Sequence, residues 1–536
     1  MKAFLLAALA VPALIVTGVA SAAPDRAGNA PERFLVGFAA KPGAAERAAV
    51  ARHGGVVTAD LSNVDALAVS ISAAGVGSLA REAGVRYVER DEWRQPLGLE
   101  TSELTPSLSN GLYGLVTTKS TDAHPTYTGS GVKACVADTG LDATNPDIAP
   151  NYLGGADFTG DGKGVRGDHW ETHGTHVAGT VLAARGNGQG VYGAAYGAKL
   201  VHARVLQNSG GYSSWIMNGV KWLVEQNGCN IVNMSLGGSR FSKTEERFYQ
   251  DMRAKGALIV AATGNDSATS ISYPAGYATN LAVGAVDVNN VRASFSNTGK
   301  NIDLVAPGVG VLSTMPIGLG YDPALTVGSA SYTVHALEYS GNTDGVTGPL
   351  VNCGKALSSS DCASKPSNGA WIALIERGDI SFADKVKNAT TAGASAAVIY
   401  NNASGGFIGT LGSPGSWIPA LSASREDGLA MVAALPTTAT AVARATNWDY
   451  MDGTSMATPH ASGVAALVWS AAAAANKNPT PASVEDALVK TALDLGAAGY
   501  DTSYGYGLVQ ATNAIAYAEN PPASGGGGGK PGGPKK

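Results

Sequence analysis

Asp452-Gly453-Thr454-Ser455-Met456-Ala457-Thr458-Pro459-His460 leads into an apolar run from Gly463 to Ala475. Val464, Leu467, Val468 and the alanines leave that run no solvated face, which predicts a buried helix. Proline lacks an N–H and is tolerated in a first helical turn, so Pro459 places Ser455 at the helix N-terminus. Backbone N–H groups and the positive end of the helix dipole favour negative charge there. Such a place suits a nucleophile that must carry a developing oxyanion. A plain Ser/Thr helix cap is the other reading of this stretch.

Two upstream stretches decide between them. Val132-Lys133-Ala134-Cys135-Val136-Ala137-Asp138-Thr139-Gly140 is a short strand-type run that ends in an aspartate and a glycine turn. Ligand groups of open α/β sheets gather at the carboxyl ends of such strands. Thr172-His173-Gly174-Thr175-His176-Val177-Ala178-Gly179-Thr180-Val181 carries a histidine at its head and small residues for close packing. The chain order Asp138, His173, Ser455 is neither that of α/β-hydrolases nor that of chymotrypsin-like enzymes; it is the subtilisin order.

With Asn233-Met234-Ser235-Leu236-Gly237-Gly238 and Ala261-Ala262-Thr263-Gly264-Asn265, these stretches resemble the subtilisin-like serine proteases over roughly residues 108–320 and 446–518. The resemblance implies a three-layer α/β fold, a parallel sheet between helices. It implies that Ser455 is the nucleophile, His173 the general base and then acid, and Asp138 the group that orients the imidazole. Asn265 and the Ser455 N–H would be the oxyanion donors. Tyr212-Ser213 and Ser235-Leu236-Gly237 resemble the two edges between which a substrate backbone lies, so recognition would be β-strand addition. The S1 walls would be Ser235, Leu236, Gly237, Ala262, Thr263 and Gly264, with Ser272 near the floor. No carboxylate falls at that floor, so a large apolar P1 residue is expected, although Asp266 on the rim could tolerate a basic one.

Asp147 matches the family's main calcium carboxylate. Its partners would come from Arg185-Gly186-Asn187-Gly188-Gln189-Gly190-Val191, through Asn187 and loop carbonyls. Arg185 is an unhelpful neighbour for a cation, and a solvated turn is the alternative. His169, His173 and His176 are spaced as zinc ligands could be, but no His-Glu-x-x-His stretch accompanies them, and His176 reads as a buried structural residue.

The 536 residues exceed one ordinary domain. A net charge of -5 with 15% charged residues gives no basic patch for nucleic acid. Residues 1–23, with Met1-Lys2, an apolar run from Phe4 to Val19 and Ala20-Ser21-Ala22-Ala23, read as a signal peptide cut after Ala22 or Ala23; a membrane anchor is the alternative. Residues 33–92 alternate strands and helices and close on Tyr87-Val88-Glu89-Arg90-Asp91, which resembles the family's inhibitory propeptide. Residues 93–109 read as a linker open to cutting. The peptidase core is expected at 110–320 and 446–518.

The chain from about Tyr321 to Thr446 is an insertion, and its residues 332–443 look like a protease-associated (PA) domain. The likeness rests on Glu376-Arg377-Gly378-Asp379-Ile380-Ser381-Phe382-Ala383-Asp384-Lys385 and Tyr400-Asn401-Asn402, and implies a module that gates access or binds partners. Residues 520–536 read as a flexible Gly/Lys tail. Cys353 and Cys362 flank a short loop and are expected to pair in a secreted chain. Cys135 and Cys229 lie at similar places on two neighbouring strands, where a bridge across a direct pair is awkward and a buried free thiol is the other reading.

Together these readings predict a secreted, self-processing serine endopeptidase of broad specificity. It would act as a monomer on proteins and peptides, with its own propeptide as intramolecular inhibitor, free of the membrane after signal cleavage and with calcium in a structural role. A binding protein on a dead protease scaffold is disfavoured by the intact Asp138, His173, Ser455 and Asn265. An esterase shares the chemistry and would differ in not cutting peptide bonds.

Overall fold

The computed structural model describes residues 31–97, 112–188 and 190–522. The expected leader, residues 98–109 of the expected linker and most of the tail lie outside the described residues. Short runs rich in Val, Ile, Leu and Ala, buried on both faces, are the pattern of a covered parallel sheet. Six such strands and the half-exposed edge strand Tyr152–Asp157 form an all-parallel sheet in the order Leu304–Pro307, Leu281–Val286, Leu258–Ala262, Ile231–Met234, Ala134–Asp138, Leu200–Arg204 and Tyr152–Asp157. The chain's progress across the sheet reverses beside Ala134–Asp138, which opens a crevice at the carboxyl ends of the central strands. Helices His173–Leu182, Thr454–Ala474, Pro481–Lys490 and Ala511–Glu519 pack on one face. Helices Ser213–Lys221 and Lys243–Ala254 cover the other, giving the three layers expected.

The serine helix needs one correction. Pro459 lies inside it, beyond the first turn. Its missing N–H would have bonded the Ser455 carbonyl four residues back. The Ser235 hydroxyl donates to that carbonyl instead, at 2.8 Å, so the helix continues through the proline.

The N-terminal unit is an antiparallel sheet in the order Val56–Leu61, Ala66–Ile71, Glu32–Phe38, Val85–Arg90, with helices Ala44–Arg52 and Ala73–Leu79. Leu35, Ala59, Leu61, Ala66 and Ala68 share an apolar cluster with the face formed by Ser213–Lys221 and Lys243–Ala254. Trp93–Pro96, assigned to the linker by sequence, is instead a strand of a small antiparallel sheet between Leu236–Gly237 and Gly211–Tyr212.

The insert is bounded by a strand pair close to the expected Tyr321 and Thr446. Gly320–Val327 pairs along its length with Thr438–Thr446, with Gly320 opposite Thr446, inside an eight-stranded sheet. The chain leaves and re-enters the core through the ribbon Val311–Thr314 and Trp448–Met451. The Cys353–Cys362 bridge forms as expected. Cys135 and Cys229 are bridged as well, with Cα atoms 6.0 Å apart. The strand register sets Cys135 opposite Val232, so Cys229 precedes the paired segment and the awkward direct crossing does not arise. No described helix is long and apolar enough to cross a membrane.

Candidate active site

Asp138 ends its strand at the crevice, and His173 opens the helix above it. The two close because Gly174 follows the histidine: a Cβ there would lie 2.7 Å from the carbonyl oxygens of both Thr139 and Gly140. The Thr139 hydroxyl accepts from the Gly174 N–H at 2.9 Å and fixes the helix start on the strand end. His173 Nδ1 lies 2.7 Å from Asp138 Oδ1. Asp138 is fully buried and His173 nearly so. His173 Nε2 is buried with no hydrogen-bond partner among the described residues. Ser455 stands in the first turn of the serine helix, and its hydroxyl donates to the Ser235 carbonyl at 2.9 Å rather than to His173.

Asn265 follows the strand Leu258–Ala262. Its Oδ1 accepts from the Thr454 N–H at 2.9 Å and from the Thr454 hydroxyl at 2.8 Å, which turns its NH2 group towards the crevice. Asn265 Nδ2 donates to the Leu97 carbonyl oxygen, and the Ser455 N–H lies 3.4 Å from that same oxygen. The Leu97 N–H in turn donates to the Ser235 carbonyl at 3.2 Å.

Leu97 therefore lies in the crevice against Ser235, Asn265 and Ser455. A Cβ on Gly237 would meet Leu97 Cδ1 and Ser272 Cβ, each at 3.0 Å, so the absence of a side chain at Gly237 makes room for the leucine. The Ser272 N–H donates to the Thr263 carbonyl at 2.8 Å, which ties that wall to the end of the strand carrying Ala262. Gly264, at φ +107°, leaves space for Asn297 and the Ser272 hydroxyl. Leu236 is opposite Pro96 and Gly237 opposite Gln95, so this edge pairs with the chain's own segment Trp93–Pro96.

The rest of that chain is also anchored. Asp91 accepts from the Ser214 N–H at 2.9 Å and from both hydroxyls of Ser213 and Ser214, at the start of one helix. Glu89 accepts from the N–H groups of Lys243 and Thr244 at the start of the next, 3.1 and 2.9 Å away. Carboxylates at helix N-termini meet unsatisfied donors and a favourable dipole.

Other polar residues have structural partners. His176 Nε2 lies 3.0 Å from the Val311 carbonyl, and burial pushes its pKa down to about 3. Among the described residues no cluster of three or more His, Cys, Asp or Glu could hold a metal. The group at Asp147 is of another kind, one carboxylate with the Asn187 amide and the Val191 N–H against it. Asp147 Oδ1 faces Asn187 Nδ2 at 2.5 Å and Oδ2 accepts from the Val191 N–H at 2.9 Å. A Cβ on Gly190 would lie 1.9 Å from Asp147 Oδ2, so the loop closes over the carboxylate only because glycine is there. Arg185 does not intrude; its guanidinium stacks on Tyr192, 4.9 Å from the ring centre. Asn187 and Val191 hold the carboxylate by hydrogen bonds; calcium takes oxygen ligands, so Asn187 would have to turn its amide oxygen to Asp147 to serve as one.

Sequence reasoning missed Leu97 as an occupant, Thr454 as the residue that aims Asn265, and Glu245, which holds the Arg94 guanidinium.

The subtilase family profile matches residues 129–346 and 434–507, and the PA domain profile matches 346–431. The chain is 36% identical to subtilisin E of Bacillus subtilis over 297 residues, 54% of this chain and 74% of that protein. It is 38% identical to an alkaline protease of Alkalihalobacillus alcalophilus over 330 residues, 58% of this chain and 80% of that one. Among solved structures, the subtilisin-like protease Apa1 from the Antarctic psychrotroph Pseudoalteromonas sp. AS-11 is 32% identical, with TM-score 0.55 over 76% of this chain and 97% of that one. Fervidolysin from Fervidobacterium pennivorans, at 21% identity and TM-score 0.58 over 92% of this chain and 62% of that one, shares the fold. With a profile match over more than half its length and relatives covered across three quarters of theirs, the chain belongs to the subtilase family of serine endopeptidases and carries an inserted PA domain.

Proposed function

We propose that the chain is a secreted endopeptidase that works through an acyl-enzyme on Ser455 and matures by cutting its own Leu97–Gly98 bond. One observation carries this reading: the Leu97 carbonyl oxygen faces the Asn265 amide and the Ser455 N–H together. In the reaction Ser455 Oγ leaves the Ser235 carbonyl, passes its proton to His173 Nε2 and attacks the carbonyl carbon. Asp138 on Nδ1 keeps Nε2 free to accept and stabilises the imidazolium. The oxyanion forms against Asn265 Nδ2 and the Ser455 N–H. The imidazolium then protonates the leaving nitrogen, and water activated by His173 releases the acyl group.

Leu97 beside Gly237 and Ser272 supports a preference for large apolar P1 residues. The charged leader and small-residue cleavage site support secretion. After the cut, the N-terminal unit keeps its apolar face and its Glu89 and Asp91 contacts, which supports its role as a bound inhibitor of a monomeric enzyme. Asp147, Asn187 and the loop 185–191 would hold a calcium ion, which would lock that loop and take no part in the chemistry.

The test is the N-terminus and activity of the secreted product. The natural chain is expected to begin at Gly98 and to digest casein, while Ser455→Ala stays joined to residues 33–92. A Ser455→Ala protein that matures normally would remove the assignment.

A further inference from the structure

The fourth residue before the proposed cut enters a pocket that the catalytic chemistry does not require. Counting back from Leu97, that residue is Arg94, and its side chain is as buried as that of its partner Glu245, each 1% exposed. Arg94 Nη2 donates to Glu245 Oε2 at 2.7 Å and Nε to Oε1 at 3.3 Å, the forked geometry of a guanidinium on a carboxylate. Nη2 also donates to the Arg240 carbonyl at 2.8 Å. The Tyr277 hydroxyl donates to Glu245 Oε2 at 2.7 Å and accepts from the Ser242 N–H at 3.0 Å, which holds the carboxylate in place. Gly238 leaves the entrance open: a Cβ there would lie 2.9 Å from Arg94 Nη1.

All the groups that hold the guanidinium belong to the peptidase core and remain when the N-terminal unit departs. The Glu245 carboxylate then lacks its cation, with only the Tyr277 hydroxyl donating to it. An incoming guanidinium would meet the same carboxylate and the same Arg240 carbonyl that hold Arg94, and would bury the charge pair again, so the pocket favours a positive charge. The guanidinium of Arg240, the residue whose carbonyl lines the pocket, is a rival cation. It is 72% exposed and points at Glu92 of the N-terminal unit, 3.9 Å away.

We infer that the mature enzyme reads the fourth residue on the acyl side of the cut through Glu245 and selects arginine there, combined with a large apolar residue at the cut. Arginine outranks lysine because a point-charge ammonium cannot span both carboxylate oxygens and the Arg240 carbonyl. The inference rests on the endopeptidase reading and adds a second point of selection to it.

The test uses matured enzyme and quenched peptides carrying X-Gln-Pro-Leu before the cut, with X as Arg, Lys, Ala or Leu. Breaking one side of a buried charge pair commonly shifts binding by two or more powers of ten, so Arg is expected to exceed Ala in kcat/KM by about a hundredfold, with Lys between them. In Glu245→Gln the Arg-to-Ala ratio is expected to fall towards one. Equal rates for all four peptides, the result if Arg240 swings in to pair with Glu245, would overturn the inference and leave the endopeptidase reading standing. An arginine preference that survives Glu245→Gln would overturn it too. Failure to cut any of the peptides at leucine would overturn both readings. Where Glu245→Gln does not mature, the series on the natural enzyme decides alone.

Discussion

Asp452 begins the motif that carries Ser455, and it is buried with too few partners. Its Oδ1 accepts from the Gly310 N–H at 2.5 Å, while Oδ2 has no partner among the described residues. Burial disfavours the charged form and pushes its pKa up from 3.8 to about 7. The sign follows from proton linkage. Between pH 4 and 7 the folded chain holds a proton that the unfolded chain has released, so stability falls as pH rises through that window. It is fully present below pH 4 and lost above about pH 7. A shift of about three units at about 1.4 kcal/mol each sets the loss at about 4 kcal/mol.

Asp452→Asn keeps the Oδ1 acceptor and resembles the protonated acid at every pH. The variant should therefore match its parent near pH 4 and exceed it at pH 8. For a domain of this size about 2–4 °C accompanies each kcal/mol, so even half the ceiling gives about 5 °C in Tm. The measurement is thermal unfolding at pH 4.5, 6 and 8, with Ser455→Ala in both proteins to prevent self-digestion. His176 and His460, driven down to about 3 and 4 by burial, act in the opposite sense, lowering stability as pH falls below about 6.5. Asp449 is also raised to about 7. These groups are common to both proteins, so the difference in Tm isolates Asp452. A difference that is constant with pH, or a variant less stable at pH 8, would refute the reasoning.

Three further outcomes are expected. Asn265→Ala should lower kcat about a hundred to a thousandfold at nearly constant KM, a magnitude carried over from the same position in subtilisin; a change in KM alone would remove Asn265 from the oxyanion site. Chelation of calcium should lower the Tm of the Ser455→Ala protein, and Asp147→Asn should abolish that response; equal responses in both would place the ion elsewhere. Replacing 321–445 by a short turn should leave cleavage of small chromogenic peptides intact and change digestion of large folded proteins more; equal loss on both, in a folded product, would mean that the insert shapes the catalytic site.

The third outcome follows from where the insert joins the core. Gly320 and Thr446 face each other across paired strands, so excision leaves ends that a turn can close. The insert meets the rim of the crevice around Trp170, where Tyr339 packs edge-on to it, 5.2 Å between ring centres and three residues before His173, with His335 and Glu338 lining the same cavity. A peptide whose contacts all lie on the acyl side of the cut does not need that contact, and a bulky protein surface meets it.

The parts of the site that chemistry restricts to few residue types were legible. Asp138, His173, Ser455 and Asn265 lie in short stretches whose glycines and small residues follow from close backbone approach, as Gly174 over Thr139 illustrates. The insert strands Gly320–Val327 and Thr438–Thr446 were not legible. Their inward positions include Ala439, Ala441 and Ala443, which fill a pleat but carry little strand preference. The Cys135–Cys229 bridge depended on a three-residue offset that only the strand register reveals.

Glu245 was hidden for a different reason. Ser242-Lys243-Thr244-Glu245 has the spacing of a helix capping box, in which the glutamate would bend back to the Ser242 N–H. Half of the box forms: the Ser242 hydroxyl accepts from the Glu245 N–H at 3.2 Å. The other half does not, because the Tyr277 hydroxyl takes the Ser242 N–H at 3.0 Å. Freed from that duty, the carboxylate turns inward to Arg94. A local signature thus concealed a residue whose partners are 32 and 151 positions away, and a pattern confined to four residues carries no information about either. Tyr277→Phe should therefore act on both sides of this exchange. The Ser242 N–H, losing its acceptor, becomes a competitor for the Glu245 carboxylate, and the arginine preference at the fourth position should weaken while cleavage after leucine persists. An unchanged Arg-to-Ala ratio in Tyr277→Phe would mean that the carboxylate holds its inward position without the tyrosine.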